Sequence, residues 1–288
     1  MTGKDRQNPL ERALWCVETR FAGPLSLDAI AETAGVSRFH LSRLFALVIG
    51  RPVMDYVKAR RLSLAARSLA DGAPDILTVA LDAGYGSHEA FTRAFRDQFG
   101  ATPDQARKPG VIDTLSLQEA LRMPTTATAP ALTPRIVEGK ALLIAGINAR
   151  YACGPGAGIP AQWQRFAPHI GALPGEVYGV TYGVIHNDDD AGGYDYLCGV
   201  EVADFAQVPA ELDRLRIAPR LYAVFTHEGH VSAISATIQA IWSTWLPNSD
   251  YEAQDAPNFE RYGREFNPMT GMGGLEFWVA VKAKPARP

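Results

Sequence analysis

A helix-turn-helix pattern is written twice near the start of this chain, and no other feature constrains its fold as tightly. The first copy runs from Leu27 through Ala34-Gly35-Val36-Ser37 to Arg43-Leu44-Phe45. The second runs from Ile76 through Ala83-Gly84-Tyr85-Gly86-Ser87 to Arg93-Ala94-Phe95. Each holds a short apolar-periodic helix, an Ala-Gly break, a serine and a second amphipathic helix. A glycine after a short helix supplies the left-handed residue that closes it, and the serine is placed to cap the next helix. A unit of this shape presents its second helix to a DNA major groove.

Length and charge agree with a two-part molecule. The chain has 288 residues, 47% of them hydrophobic, which is enough to bury two cores. Its net charge of −3 is unevenly spread: residues 1–108 carry 15 Lys and Arg against 12 Asp and Glu, and the remainder carries 13 against 19. A mildly basic first part and an acidic second part suit a DNA reader joined to something that should avoid DNA. Three cysteines (Cys16, Cys153, Cys198) are widely spaced and odd in number, which argues against a disulfide framework and for a reducing compartment. The first residues lack an apolar signal core, and no run reaches the roughly 18 apolar residues of a membrane span. The expectation is a soluble cytoplasmic protein with no membrane partner.

Residues 9–20 form an opening helix with Leu10, Ala13, Leu14 and Val17 on one face. After Gly50-Arg51-Pro52, residues 53–69 have helical periodicity; about 17 residues at 1.5 Å each give a spacer of roughly 25 Å. That is the scale needed to hold two reading helices in successive groove segments about 34 Å apart. The Thr/Ala/Pro texture of 109–131 marks a linker, with 115–121 as one short helical piece within it. Beyond it the order strand, helix, strand, strand is expected twice: 141–147, 159–170, 177–185 and 194–202, then 221–226, 231–245, 259–262 and 275–281. The acidic turn Asn187–Gly193 between two strands is expected as a solvated hairpin tip. Two such units sharing one sheet, with both helices on one face, leave the other face free as a groove. The predicted fold is therefore two domains: an all-α double helix-turn-helix (a homeodomain-like pair) over 8–108, then an α+β duplicated strand-helix-strand-strand domain over 132–283.

The tandem motifs, together with Gly50-x-Pro52, Arg60-Arg61-Leu62, Phe91-x-Arg93-x-Phe95 and Phe99-Gly100-x-x-Pro103, resemble the AraC family of bacterial transcription regulators. Residues 132–282 look like the gyrase-inhibitor-like effector-binding domain. That likeness is carried by Phe225-x-His227-x-Gly229, Ile241-Trp242-x-x-Trp245-Leu246-Pro247, Phe259-Glu260-x-Tyr262 and Leu275-Glu276-Phe277-Trp278-Val279. The resemblance implies that promoter DNA and a small hydrophobic effector, cationic or neutral, are the ligands, with RNA polymerase as a further partner. No cofactor motif accompanies it.

Helical phasing turns Arg38, Phe39, Ser42 and Arg43 outward on the first reading helix, and His88, Glu89, Thr92, Arg93 and Arg96 on the second. The resemblance places the base-reading positions at Phe39, Ser42 and Arg43, then His88, Glu89, Thr92 and Arg93. Arginine can take guanine by two bonds, and an exposed Phe can meet a thymine methyl. Alternatively, the arginines bind phosphates for register only. His40 is open between packing inside its module and DNA contact. In the second domain, strand alternation puts Leu275, Phe277 and Val279 on one face and Glu276 and Trp278 on the other. A carboxylate beside ring faces is how organic cations are held. The resemblance implies that role for Glu260, Tyr262, Glu276 and Trp278, with Tyr178, Tyr182 and Trp163, and also Tyr194 and Tyr196, as candidate walls. Trp242 and Trp245 lie at core spacing, with the groove as the alternative for Trp242, and His227-x-x-His230 at a strand-to-helix turn reads as structural. The alternative for this domain is a hydrolase of strained, cyclopropane-type toxins, with Glu260 or Glu276 as general base on water. No Ser-His-Asp order, metal cluster or phosphate loop points to broader catalysis.

Overall fold

The computed structural model describes residues 9–73, 75–121, 132–152, 158–189 and 192–284. Helices come first: α1 (Pro9–Arg20), α2 (Leu27–Ala34), α3 (Arg38–Ile49), α4 (Val53–Ala70), α5 (Ile76–Asp82), α6 (His88–Phe99) and the single turn α7 (Pro103–Ala106). Among the described residues nine strands follow, β1 (Arg135–Gly139), β2 (Leu142–Tyr151), β3 (Glu176–His186), β4 (Tyr194–Val202), β5 (Asp213–Ile217), β6 (Arg220–His227), β7 (Tyr251–Ala253), β8 (Asn258–Tyr262) and β9 (Leu275–Ala283). Helix α8 (Ile159–Phe166) lies between β2 and β3, and α9 (Ile234–Ala240) between β6 and β7. The chain divides into two compact units. One comprises the described residues of Met1–Arg38 and Pro52–Thr126; the other comprises Phe39–Arg51 with those of Ala127–Pro288.

In the first unit the helix ends follow from their capping residues. Ser26 Oγ accepts the Ala29 amide at the start of α2, and Gly35 (φ 69°) closes that helix with bonds to the Ala31 and Glu32 carbonyls. Asp75 caps α5, Ser87 Oγ accepts the Ala90 amide of α6, and Thr102 and Gln105 form a reciprocal capping box on α7. The second helix-turn-helix encloses its own core. Leu62, Ala66 and Leu69 of α4, Ile76, Val79 and Ala80 of α5, and Phe91 and Phe95 of α6 pack together. Each fully buried Phe contributes about 1.5–3 kcal/mol.

Residues 115–121, expected as a helical piece, carry no regular element; the one helical turn here is the 3-10 turn Ile112–Thr114. Side chains of α4 take up the backbone groups that a helix would have paired. Ser63 Oγ accepts the Gln118 amide at 2.8 Å, Tyr56 Oη accepts the Leu121 amide at 3.0 Å, and Arg60 donates to the Gln118 carbonyl at 2.7 Å. Ile112, Leu115 and Leu117 then lie on the core. The stretch 122–131, expected as linker, lies outside the described residues.

In the second unit, eight strands form one antiparallel sheet in the order β1-β6-β9-β8-β3-β4-β2-β5, and β7 pairs with β9. The expected duplication is visible as β6-β9-β8 and β2-β4-β3, joined through β8 and β3. The edge strands exchange halves: β1 precedes β2 but pairs with β6, and β5 precedes β6 but pairs with β2. The helix expected over 231–245 is built in three pieces: a 3-10 turn (Val231–Ala233), α9 and a wider π turn (Ile241–Trp245). Both helical segments lie on the face of Tyr196 and Phe225, as Trp163 bonds to Tyr196 and the Trp245 ring meets Phe225 at 4.9 Å. His227 ties β6 to α9, its Nδ1 2.8 Å from Thr237 Oγ1 and its Nε2 3.1 Å from the His230 carbonyl.

Candidate functional site

Strand register divides the candidate effector residues between the two faces of the sheet. Glu260 of β8 stands opposite Phe277 of β9, whereas Arg261 stands opposite Glu276 and Phe259 opposite Trp278. Side chains on paired residues share a face. Glu260 and Tyr262 therefore face the helices with Phe277, and Glu276 and Trp278 point the other way. The two carboxylates do not share a site.

Under the helix layer, Glu260 is 7% exposed and its Oε2 accepts two phenol protons, from Tyr196 at 2.7 Å and from Tyr262 at 2.8 Å. Trp163 of α8 donates its indole N–H to Tyr196 Oη at 3.1 Å, and its ring meets that of Tyr262 edge-on at 5.4 Å. Phe266 closes on the other side of Tyr262, 4.7 Å between ring centres. Glycine makes this crossing possible. Gly183 of β3 lies between β8 and β4, where a Cβ would meet Tyr196 Oη at 2.0 Å and Glu260 Oε2 at 2.7 Å. A glycine inside a strand marks such a close approach. Burial pushes the Glu260 carboxyl above its usual range, opposed by the two phenol bonds and by nearby His227. Burial and the carboxylate together hold the Tyr196 and Tyr262 phenols well above theirs. The result is an anionic or acidic spot under low dielectric, walled by Trp and Tyr rings.

The opposite face is filled rather than open. Trp278 stacks on Phe259 at 5.2 Å, and Tyr222 meets both rings edge-on. Tyr182, Val184, Leu197, Leu142 and Ile144 extend this cluster. Tyr182 is 3% exposed and donates to Glu201 at 3.2 Å; burial, with the Glu201 charge, raises its phenol to about 12. Glu276 is already engaged by Arg135, by Arg261 at 3.4 Å and by the Trp278 indole at 3.0 Å. Tyr178 stands apart, 63% exposed, its hydroxyl 3.3 Å from the Gly171 carbonyl. The structure thus groups Glu260, Tyr262 and Trp163 with Tyr196, and leaves Glu276, Trp278, Tyr182 and Tyr178 elsewhere.

Of the helices expected to read DNA, α6 leaves His88, Glu89 and Arg93 exposed, with Thr92 half-buried. Thr92 Oγ1 is buried without a hydrogen-bond partner among the described residues. Arg38, at the start of α3, is 48% exposed and pairs with Asp28 at 3.3 Å. The rest of α3 differs. Arg43 donates from Nη1 to both oxygens of Asp188, at 2.8 and 3.0 Å, and its side chain is only 9% exposed. Its guanidinium lies 5.4 Å from the Trp242 ring centre and 5.8 Å from that of Phe39. Phe39 meets Trp242 edge-on at 5.8 Å. His40, left open between two roles, is buried, with Nε2 3.0 Å from the Trp242 carbonyl. Burial lowers its pKa to about 4. Asp188, expected only as part of a solvated hairpin tip, is thus half-buried under Arg43; Asp190 and Ala191 of that tip lie outside the described residues.

Two glycine-closed helix pairs ahead of a duplicated sheet domain with a buried carboxylate define a class: a DNA reader joined to a small-molecule binder. Residues 30–109 match the helix-turn-helix domain family, and residues 132–282 match the GyrI-like small molecule binding domain. The chain is 30% identical to the transcriptional regulator Rob of Salmonella typhimurium, covering 90% of this chain and 91% of that protein. It is 40% identical to the regulatory protein SoxS of Escherichia coli over 84 residues, 29% of this chain and 78% of SoxS. The solved structure of SAV2435 bound to tetraphenylphosphonium is 22% identical, covers 52% of this chain and 94% of its own, and has a TM-score of 0.45. The chain belongs to the AraC-type transcription regulators that carry a C-terminal GyrI-like domain. It is a DNA-binding regulator with a small-molecule-binding domain.

Proposed function

We propose that the effector is an organic cation with an apolar, ring-bearing body, and that it binds beneath α8 against Glu260. The observation that carries this reading is the buried carboxylate held by two phenols, Tyr196 and Tyr262, beside Trp163. A carboxylate kept from water is costly unless paired, and a cation with its own hydration shed is the matching ligand. Ring faces add attraction for the same charge. Both phenol bonds converge on Oε2, so a cation can pair with the carboxylate without displacing both donors. Trp163 is half-buried on the outer helix and is the side chain that would move to admit the ligand.

On the DNA side, His88, Glu89, Thr92 and Arg93 of α6 read one groove segment, and Arg38, Phe39, Ser42 and Arg43 of α3 the next. Effector binding changes promoter occupancy, and RNA polymerase is the partner to which that change is conveyed. Glu260, with its raised pKa, is also what a general base on water needs, so the hydrolase alternative is tested on the same residue.

Titration calorimetry with tetraphenylphosphonium and with neutral triphenylphosphine oxide tests the reading. The full chain should bind the cation at least tenfold tighter than the neutral compound, and Glu260→Gln should remove that preference. Equal affinity for both compounds, or a preference that survives Glu260→Gln, would defeat it. Recovery of a chemically altered strained substrate after incubation would favour the hydrolase instead.

A further inference from the structure

Helix α3 carries half of the proposed DNA-reading residues, yet three of its side chains are engaged by the sheet domain. Arg43 is clasped by Asp188, Phe39 lies on Trp242, and His40 is buried on the Trp242 carbonyl. Asp188 presents two acceptor oxygens to one guanidinium, which is the pattern that guanine O6 and N7 offer in the major groove. We propose that Asp188 and Trp242 form an intramolecular dock that competes with DNA for α3, so that the chain with α3 docked reads DNA with α6 alone. The inference rests on the reading of α3 as a DNA-contacting helix.

Two features suit a dock that must come apart. Arg43 Nε, Ser42 Oγ and Trp242 Nε1 are buried without hydrogen-bond partners among the described residues. Unmet buried donors weaken the docked state, and the acceptor edges and phosphates of DNA would satisfy Arg43 and Ser42. Asp188 also sits on the hairpin that joins β3 to β4, and β4 carries Tyr196, the partner of Glu260. One strand thus leads from the proposed effector carboxylate to the loop that holds Arg43. A ligand that prefers one arrangement of β4 would shift the dock by its difference in affinity for the two states.

The test uses full-length protein and a duplex enriched by that protein from a randomised library. Asp188→Asn removes the clasp from the effector side without touching α3. Asp189→Asn removes the same charge one residue along, from a side chain that pairs with Arg150 rather than Arg43. Asp188→Asn should bind the duplex at least about fivefold tighter than wild type, and Asp189→Asn should match wild type. Adding Arg43→Ala to Asp188→Asn should abolish the gain. Equal affinities for wild type and Asp188→Asn, or an equal gain from Asp189→Asn, would overturn the dock. If Arg43→Ala leaves affinity unchanged in the Asp188→Asn background, the assignment of α3 to DNA fails instead. Hydrogen exchange across α3 provides a readout that does not depend on DNA: amides at 39–43 should lose protection in Asp188→Asn and keep it in Asp189→Asn.

Discussion

Replacing Gly183 by alanine would place a Cβ 2.0 Å from Tyr196 Oη, 2.7 Å from Tyr196 Cζ and 2.7 Å from Glu260 Oε2. The ring of Tyr196 is fully buried and hemmed by Trp163 and Tyr151, so it cannot step aside cheaply. The bond from Tyr196 to Glu260 must open. A hydrogen bond to a charged group is worth about 1.5–3 kcal/mol, and overpacking a tight interior adds about 1–3 kcal/mol. The expected loss for Gly183→Ala is therefore about 3–5 kcal/mol, which lowers the melting temperature of a domain this size by about 10 °C. Tyr196→Phe separates the two contributions, because it removes the hydroxyl and keeps the ring; its cost should be about 1.5–3 kcal/mol. Thermal unfolding followed by near-ultraviolet circular dichroism would rank the two variants, and calorimetry would show whether both lose cation affinity. A melting temperature for Gly183→Ala within 2 °C of wild type, with cation binding intact, would refute the claim that carboxylate and phenol meet across that glycine.

Arg93→Ala, which removes an exposed α6 side chain, should weaken specific DNA binding by about 1–3 kcal/mol and relax preference at one base position; a gel-shift series over single-base variants checks both. His40 contributes a pH dependence of definite sign. Its pKa falls from 6.5 in the unfolded chain to about 4 in place, by burial and to a lesser degree by the Lys284 charge, against the pull of the Trp242 carbonyl. The unfolded state therefore takes the proton first, and stability is lost as pH falls from above 6.5 towards 4. Between pH 7 and pH 5 wild type should lose about 2 kcal/mol more than His40→Gln, measured by urea unfolding. Phe91→Ala empties the fully buried centre of the second helix-turn-helix and should cost about 3–5 kcal/mol, visible as early loss of helical circular dichroism on heating.

What could be read from the chain beforehand follows from how local each signal is. Capping residues and glycines act over a few positions, so Ser87 starts α6 where the sequence places it, whereas the helix runs past the expected close at Phe95 to Phe99, where Gly100 (φ 69°) ends it. Buried strands such as β4 carry their own apolar pattern. Strands β1, β5 and β7 carry too weak a pattern to stand out in the sequence: β1 and β5 lie at the sheet edges with charged residues between apolar ones, as in Asp213-Arg214-Leu215-Arg216-Ile217, and β7 is only three residues long. In the site, alternation correctly separates Glu276 and Trp278 from Phe277, because that rule acts within one strand. It is silent on whether Glu260 joins them, since the pairing of Glu260 with Phe277 is set by hydrogen bonds between strands distant in sequence. Gly183, set between Tyr182 and Val184 in the strand, is the local hint of a close approach. Nothing local marks Asp188 as the partner of Arg43, 145 residues away.

The most direct test of a link between carboxylate and operator is a binding titration of the full chain on its enriched duplex, with and without saturating tetraphenylphosphonium. Wild type should change its Kd by at least about fivefold when the cation is added, and Glu260→Gln should show the same Kd in both conditions. An unchanged Kd for wild type at a cation concentration that calorimetry proves saturating would contradict the account.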